Sequence, residues 1–453
     1  MNENIERQRK YFQTGATRPI KARKDALKRL YKCILIYEVQ ICNALQSDLG
    51  KSTTEAYMSE IGMVLHEIKY TLRHLRKWMH AKHPSSPLTN FPSRQKIISE
   101  PYGVILILSP WNYPFLLTIS PLIGALAAGN CCIVKPSEIA PATASVLMHL
   151  LTEALPTELV CVINGGVAES KALLEERFDY IFYTGNGKVG RYVMEKAAQH
   201  LTPVTLELGG KSPAIVAKTA TLRLAARRIV FGKFLNCGQT CIAPDYILVE
   251  NSVHDEFVAY LKEEIEAMYG CSPLQNPSYG KIINERHYDR LCGLVIPHKV
   301  VFGGDTDESA LRIAPTLLDN VVAEDAIMQE EIFGPLLPIL RVENVDEAIL
   351  FVQQRERPLA LYLFANDRVL EKRVTSDIIF GGGCVNDVVS HLVSPNLPFG
   401  GVGASGLGAY HGKTSFDTFS HKKAIVHRGT WFDPNLRYPP YTQRKLRLLK
   451  KLL

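Results

Sequence analysis

Apolar residues recur at helical spacing through the first eighty positions and then switch to short, nearly unbroken runs. Leu27, Leu30, Tyr31 and Ile34 repeat at intervals of three and four, as do Ile61, Leu65, Ile68 and Leu72, so the chain up to about His80 is predicted to be helical. Pro84, Pro87, Pro92 and several serines interrupt the pattern between His83 and Arg94 and mark an irregular excursion. A regular alternation follows. Strands are predicted over 104–108, 131–135, 160–163, 180–184 and 204–208, with helices between them, among them 116–128 and 141–155. Pro141 suits a first helical turn, where its missing amide hydrogen is not needed. A second alternation follows Gly209, with strands over 213–217 and 246–249 and helices over 222–235 and 254–268. Gly381 to Gly383 and Phe399 to Gly408 read as glycine-rich loops.

Short apolar runs alternating with helices define an α/β chain with parallel, doubly wound sheets, which bind ligands at the carboxyl ends of their strands. Two such domains are expected, the first from 1–82 with 101–208, the second over 209–400. The segments 83–100 and 401–453 are left as a small bridging element and a tail. The 453 residues leave room for this division. No charged residue occurs from Val104 to Val134, the length of a membrane span. Prolines 110, 114 and 121 with Gly124, Gly129 and Asn130 instead divide it into strand, loop, buried helix and strand.

Composition narrows the setting. A net charge of +7, spread along the chain, is too weak to argue for nucleic acid. Ten cysteines without a framework of pairs, and a polar stretch from Met1 to Lys10 in place of a secretory signal, indicate a reducing cytoplasm. The end, 444–453, is basic and leucine-rich. It is too short to span a bilayer and is suited to peripheral contact with an anionic membrane surface or to packing on a partner chain.

The candidate chemistry lies beside glycines. Cys241 follows a helix and the breaker Gly238, on a loop where a thiol can meet a substrate; Glu207 ends a strand before Gly209 and Gly210. A thiol and a carboxylate so placed suit a covalent nucleophile and a general base, although an inert cysteine and an ion-paired acid are the plainer alternatives. Gly185-Asn186-Gly187-Lys188-Val189-Gly190 joins a strand to a helix and matches a dinucleotide fingerprint, whose amides can hold a pyrophosphate. That fingerprint expects an acid about 20 positions on for a ribose, and Glu207 stands at that distance, so the residues alone leave its role open. Lys135 and Glu138 after another strand suit ribose hydroxyls, and Asn112 can donate two amide hydrogens to an oxyanion. Trp111 and Tyr113 are either lining for an apolar tunnel or core aromatics. Cys237 and Cys241 lack neighbouring histidines, so no metal site is expected.

Together these segments resemble the aldehyde dehydrogenase superfamily, and within it the class 3 branch of fatty and aromatic aldehyde dehydrogenases, over nearly the whole chain. The resemblance rests on SPWNYPF from Ser109, AAGNCCIVKPSE from Ala127, YTGNGKVG from Tyr183, LTPVTLELGGKSP from Leu201, NCGQTCIAPDY from Asn236, EEIFGP from Glu330, LPFGGVGASG from Leu397 and YHGKTSFDTFSH from Tyr410. It implies that Cys241 is the nucleophile with a lowered pKa, Glu207 the base, and Asn112 with the Cys241 amide the oxyanion hole. Lys135 and Glu138 then fall to the ribose, Glu331 and Phe333 to the nicotinamide ribose, and Lys211 to a structural role. NAD or NADP is the implied cofactor, a medium- or long-chain or aromatic aldehyde the substrate, and a homodimer the assembly. One departure stands out: Asn186 occupies a phosphate-loop position where the family commonly has serine. Two other readings compete, a dehydrogenase that passes its acyl group to coenzyme A and a non-catalytic protein on the same fold. The first has no need of a water-activating Glu207.

Overall fold

The computed structural model describes residues 2–452; of the predicted segments, Met1 and Leu453 lie outside them. Two twisted sheets organise the chain. The first has six strands in the order Gly406–Leu407, Val204–Glu207, Tyr180–Thr184, Val104–Leu108, Cys131–Lys135 and Val160–Val162. All pairings are parallel except that of Gly406–Leu407, which returns antiparallel along Val204–Glu207 and pairs Gly406 with Glu207. The second sheet has seven strands, in the order Gly382–Val385, Ala360–Phe364, Pro213–Val216, Tyr246–Glu250, Leu336–Val342, Thr316–Leu318 and Val300–Phe302. It is parallel apart from the last strand. This is the α/β architecture expected from the alternation. Helices cover both faces of the inner strands, so Val104–Leu108 and Cys131–Lys135 are buried at every position.

The charge-free stretch resolves as strand Val104–Leu108, buried helix Leu116–Ala128 and strand Cys131–Lys135. Gly129 ends that helix at a φ of 93°, in the left-handed region that stops helices. Among the described residues no helix is long and apolar enough to cross a membrane. The amino-terminal helices run to Met79 and include a π-helical turn at Tyr57–Ile61.

Two readings need correction. Gly382 and Gly383 are not loop residues but begin the edge strand Gly382–Val385, and a Cβ at Gly383 would strike the carbonyl of Leu361 on the neighbouring strand. Their glycines permit close pairing. The proline-rich excursion is only partly irregular, since Ser93–Pro101 forms a strand that pairs antiparallel with Ser420–Arg428 over nine residue pairs. Its partner lies over 300 positions away, so the excursion carried no local sign of it.

Candidate active site

Five residues, Leu208 to Ser212, connect the last parallel strand of the first sheet to Pro213–Val216 of the second. That crossing brings the candidate residues together. Ser212 accepts from the Asp245 amide at 2.8 Å, tying the crossing to the segment four residues past Cys241. Lys211 Nζ pairs with Asp245 Oδ2 at 2.6 Å and donates to the carbonyls of Ile327 and Glu330, so the Glu331 segment is held to the same place. Asp245 Oδ1 accepts from the Ile332 amide at 3.0 Å. Lys211 thus has the structural part expected of it.

Cys241 arrives by a sharp turn. Helix Leu222–Phe234 ends, and Asn236, Cys237 and Gly238 follow with φ of 51°, 53° and 74°. A Cβ at Gly238 would strike the Gly334 carbonyl, so only glycine fits there. Gln239 fixes the turn by donating to the carbonyls of Asn236 and Lys281 and accepting from the Ile283 amide. Asn112 is buried beside it. Its Nδ2 donates to the Gln239 carbonyl at 3.0 Å, which spends one of the two amide hydrogens and leaves one for a ligand.

The electrostatics of the thiol run opposite to the expectation of a lowered pKa. Cys241 is half-buried, and dry surroundings together with the nearby carboxyls of Glu331 and Glu207 push its pKa well above the usual thiol value. The amides of Cys241 and Ile242 pull the other way without overcoming this. Glu207 is 3% exposed, neither oxygen has a hydrogen-bond partner, and burial holds its pKa well above the ordinary carboxyl range. Glu331 is pushed up to about 8, by burial and then by Asp245. Its Oε2 lies where a Cβ on Gly209 would sit, and its Oε1 is buried without a partner. Three orphaned carboxyl oxygens beside one thiol indicate a site completed by ligand or water.

The surrounding residues fit a dinucleotide. Strand Tyr180–Thr184 runs into helix Gly187–Ala198, whose amino end opens at the carboxyl edge of the sheet. Asn186 Oδ1 accepts from the Val189 amide, and the Gly190 amide bonds the Asn186 carbonyl. Asn186 therefore caps the helix, and the amides of Gly187 and Lys188 are left for an anion. Gly185 and Gly190 also have packing reasons, since a Cβ would strike the Tyr183 hydroxyl or Leu208 respectively. On the next strand but one, Lys135 Nζ pairs with Glu138 Oε2 at 2.6 Å. Phe333, at a φ of 50°, stands edge-on to Trp111 at 5.3 Å between ring centres.

A cavity of about 410 Å³ opens on the Leu116 side of the Asn112 loop, lined by Tyr57, Met58, Met63, Leu116, Leu392 and Val393, with Glu67 and His411. Neither Trp111 nor Tyr113 lines it. Tyr113 is buried, with its hydroxyl on Thr240 at 2.7 Å and its ring under Lys51. The sequence reading missed Lys51, Glu60 and Lys233, all fully buried. For Glu60 and Lys233, a charged residue inside an apolar helix pattern was the available signal; Lys51, in a connecting segment, had none.

A fold of two largely parallel sheets, with a thiol, two carboxyls and a helix amino end near their junction, is the setting of a nucleotide-dependent enzyme. The aldehyde dehydrogenase family model matches residues 1–425, and the chain belongs to that family, whose members oxidise aldehydes with NAD or NADP. It is 49% identical to the 4,4'-diaponeurosporen-aldehyde dehydrogenase of Staphylococcus aureus, over 95% of this chain and 94% of that one. It is 47% identical to rat aldehyde dehydrogenase family 3 member A2, over 98% and 93% respectively. The solved substrate-bound state of Staphylococcus aureus AldH superposes with a TM-score of 0.97 at 47% identity, covering 99% of this chain and 98% of that one.

Proposed function

We propose that Cys241 captures the aldehyde, Asn112 holds the oxyanion and Glu207 activates the hydrolytic water. The observation that carries this is the meeting of a half-buried thiol with the two unpartnered Glu207 oxygens at the sheet junction. The Cys241 S–H bond breaks and its proton leaves to water as Sγ bonds the aldehyde carbon, and the carbonyl oxygen takes up the negative charge against the free hydrogen of Asn112 Nδ2 and the Cys241 amide. The nicotinamide cofactor, when bound, supplies the acceptor for the hydride that leaves this carbon. A thioester on Cys241 remains. Glu207 then takes a proton from water as the water oxygen attacks the thioester; the C–S bond breaks, the thiol is restored and the carboxylic acid departs. The high proton affinity that burial confers makes Glu207 a stronger base for this step.

The cofactor is held, in this reading, by the Gly187 and Lys188 amides at its phosphates, by Lys135 and Glu138 at one ribose, and by Glu331 and Phe333 at the other. Gly185, Asn186, Val189 and Gly190 shape the phosphate turn. The assignment supports a division into a dinucleotide-binding domain (1–82 with 101–208), a catalytic domain (209–400) and bridging elements (83–100 and 401–453). A medium- or long-chain aldehyde is the substrate class, supported by the apolar cavity and by the diaponeurosporen-aldehyde of the Staphylococcus relative's name. The long ribbon of Ser93–Pro101 and Ser420–Arg428, with Val426 and the neighbouring Trp431 and Phe432 exposed, supports a homodimer. The helix Gln443–Leu452, basic with Leu446 and Leu448 exposed, supports peripheral membrane contact in the cytoplasm.

Single-turnover kinetics test the assignment. Cys241→Ala abolishes NADH formation, and Glu207→Gln gives a burst of NADH followed by a stalled acyl-enzyme. Substantial turnover by the first variant, or loss of the burst in the second, overturns the respective role. A requirement for coenzyme A would favour an acylating enzyme instead.

A further inference from the structure

The far edge of the first sheet holds a second pocket that the steps above do not use. A cavity of about 180 Å³ lies beside Gly129 and Asn130, which lead into the amino end of strand Cys131–Lys135. It therefore faces away from the phosphate turn, which follows the carboxyl end of strand Tyr180–Thr184. Thr17, Ala22, Arg23, Asp25, Arg29 and Asn130 are on its wall. Helix Ile20–Ile36 begins here without a cap. Its N-cap residue is Pro19, no side chain caps it, and its first residues include Lys21 and Arg23 where the positive helix end favours acids. Among the described residues the amides of Lys21 and Ala22 have no acceptor.

Arg23 is 6% exposed, with its guanidinium against Gly129, where a Cβ would strike Cζ and Nη2 at 2.7 Å. Nε donates to the Thr17 carbonyl at 3.1 Å and Nη1 to the Ala127 carbonyl at 3.0 Å, while Nη2 is unspent among the described residues. No carboxylate there forms an ion pair with it, and burial, then the neighbouring Arg18, brings its pKa down to about 10. Thr17 is 4% exposed and its hydroxyl has no partner. Asn130, by contrast, is spent on the Gly103 amide and the carbonyls of Ala125 and Phe419. Asp25 is the acid of the wall, and Arg29, whose Nε donates to the Ala154 carbonyl, offsets its charge.

A guanidinium buried without a counter-ion is costly, and the Ala127 carbonyl at a helix end relieves only part of that cost. We propose that this pocket binds a small tetrahedral oxyanion, a phosphate or a phosphomonoester, held by Arg23 Nη2, the Thr17 hydroxyl and the amides of Lys21 and Ala22. One anion there supplies both the counter-ion that Arg23 lacks and the cap that helix Ile20–Ile36 lacks. These donors outnumber the two oxygens of a carboxylate, which favours the tetrahedral class.

The test is calorimetric titration of the purified enzyme, saturated with NAD so that the phosphate turn is filled, at an ionic strength held constant with sodium chloride. The probes are inorganic phosphate, glycerol phosphate and acetate. The wild type should bind one of the two phosphates in a single saturable event, with acetate weaker by about tenfold or more. Thr17→Val should weaken that binding about tenfold, the loss of one hydrogen bond to a charged ligand. Arg23→Met should abolish it and Arg23→Lys should keep part of it. The tighter phosphate names the source, the free ion or the monoester, and either upholds the site. No saturable event in the wild type overturns the proposal, as does an affinity that Thr17→Val leaves unchanged, whether or not Arg23→Met folds. A melting temperature that Arg23→Met lowers equally with and without phosphate shows a helix cap alone and also overturns it. Acetate bound as tightly as phosphate overturns the tetrahedral class.

Discussion

Loss of water raises the proton affinity of the Glu207, Glu331 and Glu67 side chains, but the three differ in what surrounds them. Glu207 has no hydrogen-bond partner at all, Glu331 rests on glycine backbone, and Glu67 accepts from Ser120 at the edge of the apolar cavity. Glu67 offers the cleanest thermodynamic readout. Burial pushes its pKa up to about 7 in the folded protein, against an ordinary carboxyl value near 4.5. The folded state therefore binds this proton more tightly than the unfolded chain. That contribution is fully present below the unfolded value and is lost as pH rises through the folded one. Glu67→Gln keeps the acceptor for Ser120 without an ionisable group. Its stability should gain on the wild type between pH 5 and pH 8, by up to about 3 kcal/mol. Urea unfolding at the two pH values measures this; a gap that does not change with pH would refute it.

Among the elements, the π-helical turn Tyr57–Ile61 has the widest reach. It aims Glu60 at the start of helix Leu116–Ala128, where Oε2 accepts from the amides of Phe115 and Leu116 at 2.9 and 3.0 Å. A carboxylate there satisfies two amides and complements the positive end of the helix. The same carboxylate holds Lys51 Nζ through Oε1 at 2.5 Å, and Lys51 in turn donates to the Asn112 carbonyl at 3.2 Å. The proposed oxyanion donor is thus fixed from behind by a buried ion pair. Glu60→Gln leaves Lys51 without a counter-ion and should cost about 3–5 kcal/mol of stability. Pairing it with Lys51→Met should recover much of that loss, because no unpaired charge remains. Denaturant unfolding of the two singles and the double measures the coupling. Additive losses would show that the two side chains act independently.

At the scale of the molecule, the proposed hydrophobic substrate and membrane contact can be tested through the apolar cavity and the basic terminal helix. Two outcomes are expected: kcat/KM higher for octanal than for acetaldehyde, and sedimentation with anionic vesicles that is lost when 443–453 is deleted. Preference for acetaldehyde would count against the first, and unchanged sedimentation against the second. Most elements were legible in the chain because parallel strands buried on both faces announce themselves as unbroken apolar runs. Val104–Leu108, Cys131–Lys135 and Tyr180–Thr184 lie where the pattern put them. Pairings between distant segments were not legible, since Gly406–Leu407 on Val204–Glu207 and Ser93–Pro101 on Ser420–Arg428 leave no local signature. The same holds for Asn236 and Cys237, non-glycine residues in left-handed conformation, where Asn236 is held by distant partners, its amide on Glu55 and its side chain on the Asn112 carbonyl.

The chain by itself determined the alternation of strands and helices, the glycine turns and the identity of Cys241, Glu207 and Asn112 as candidates, because spacing and residue type are local properties. Only the tertiary structure decided the proton affinity of Cys241 and Glu207. A pKa is set by how much water and which charges surround a group, and the thiol expected to be acidic lies instead beside two carboxyls in a dry junction. It also disclosed that Lys51, Glu60 and Lys233 are buried, because burial depends on what the rest of the fold packs against a residue.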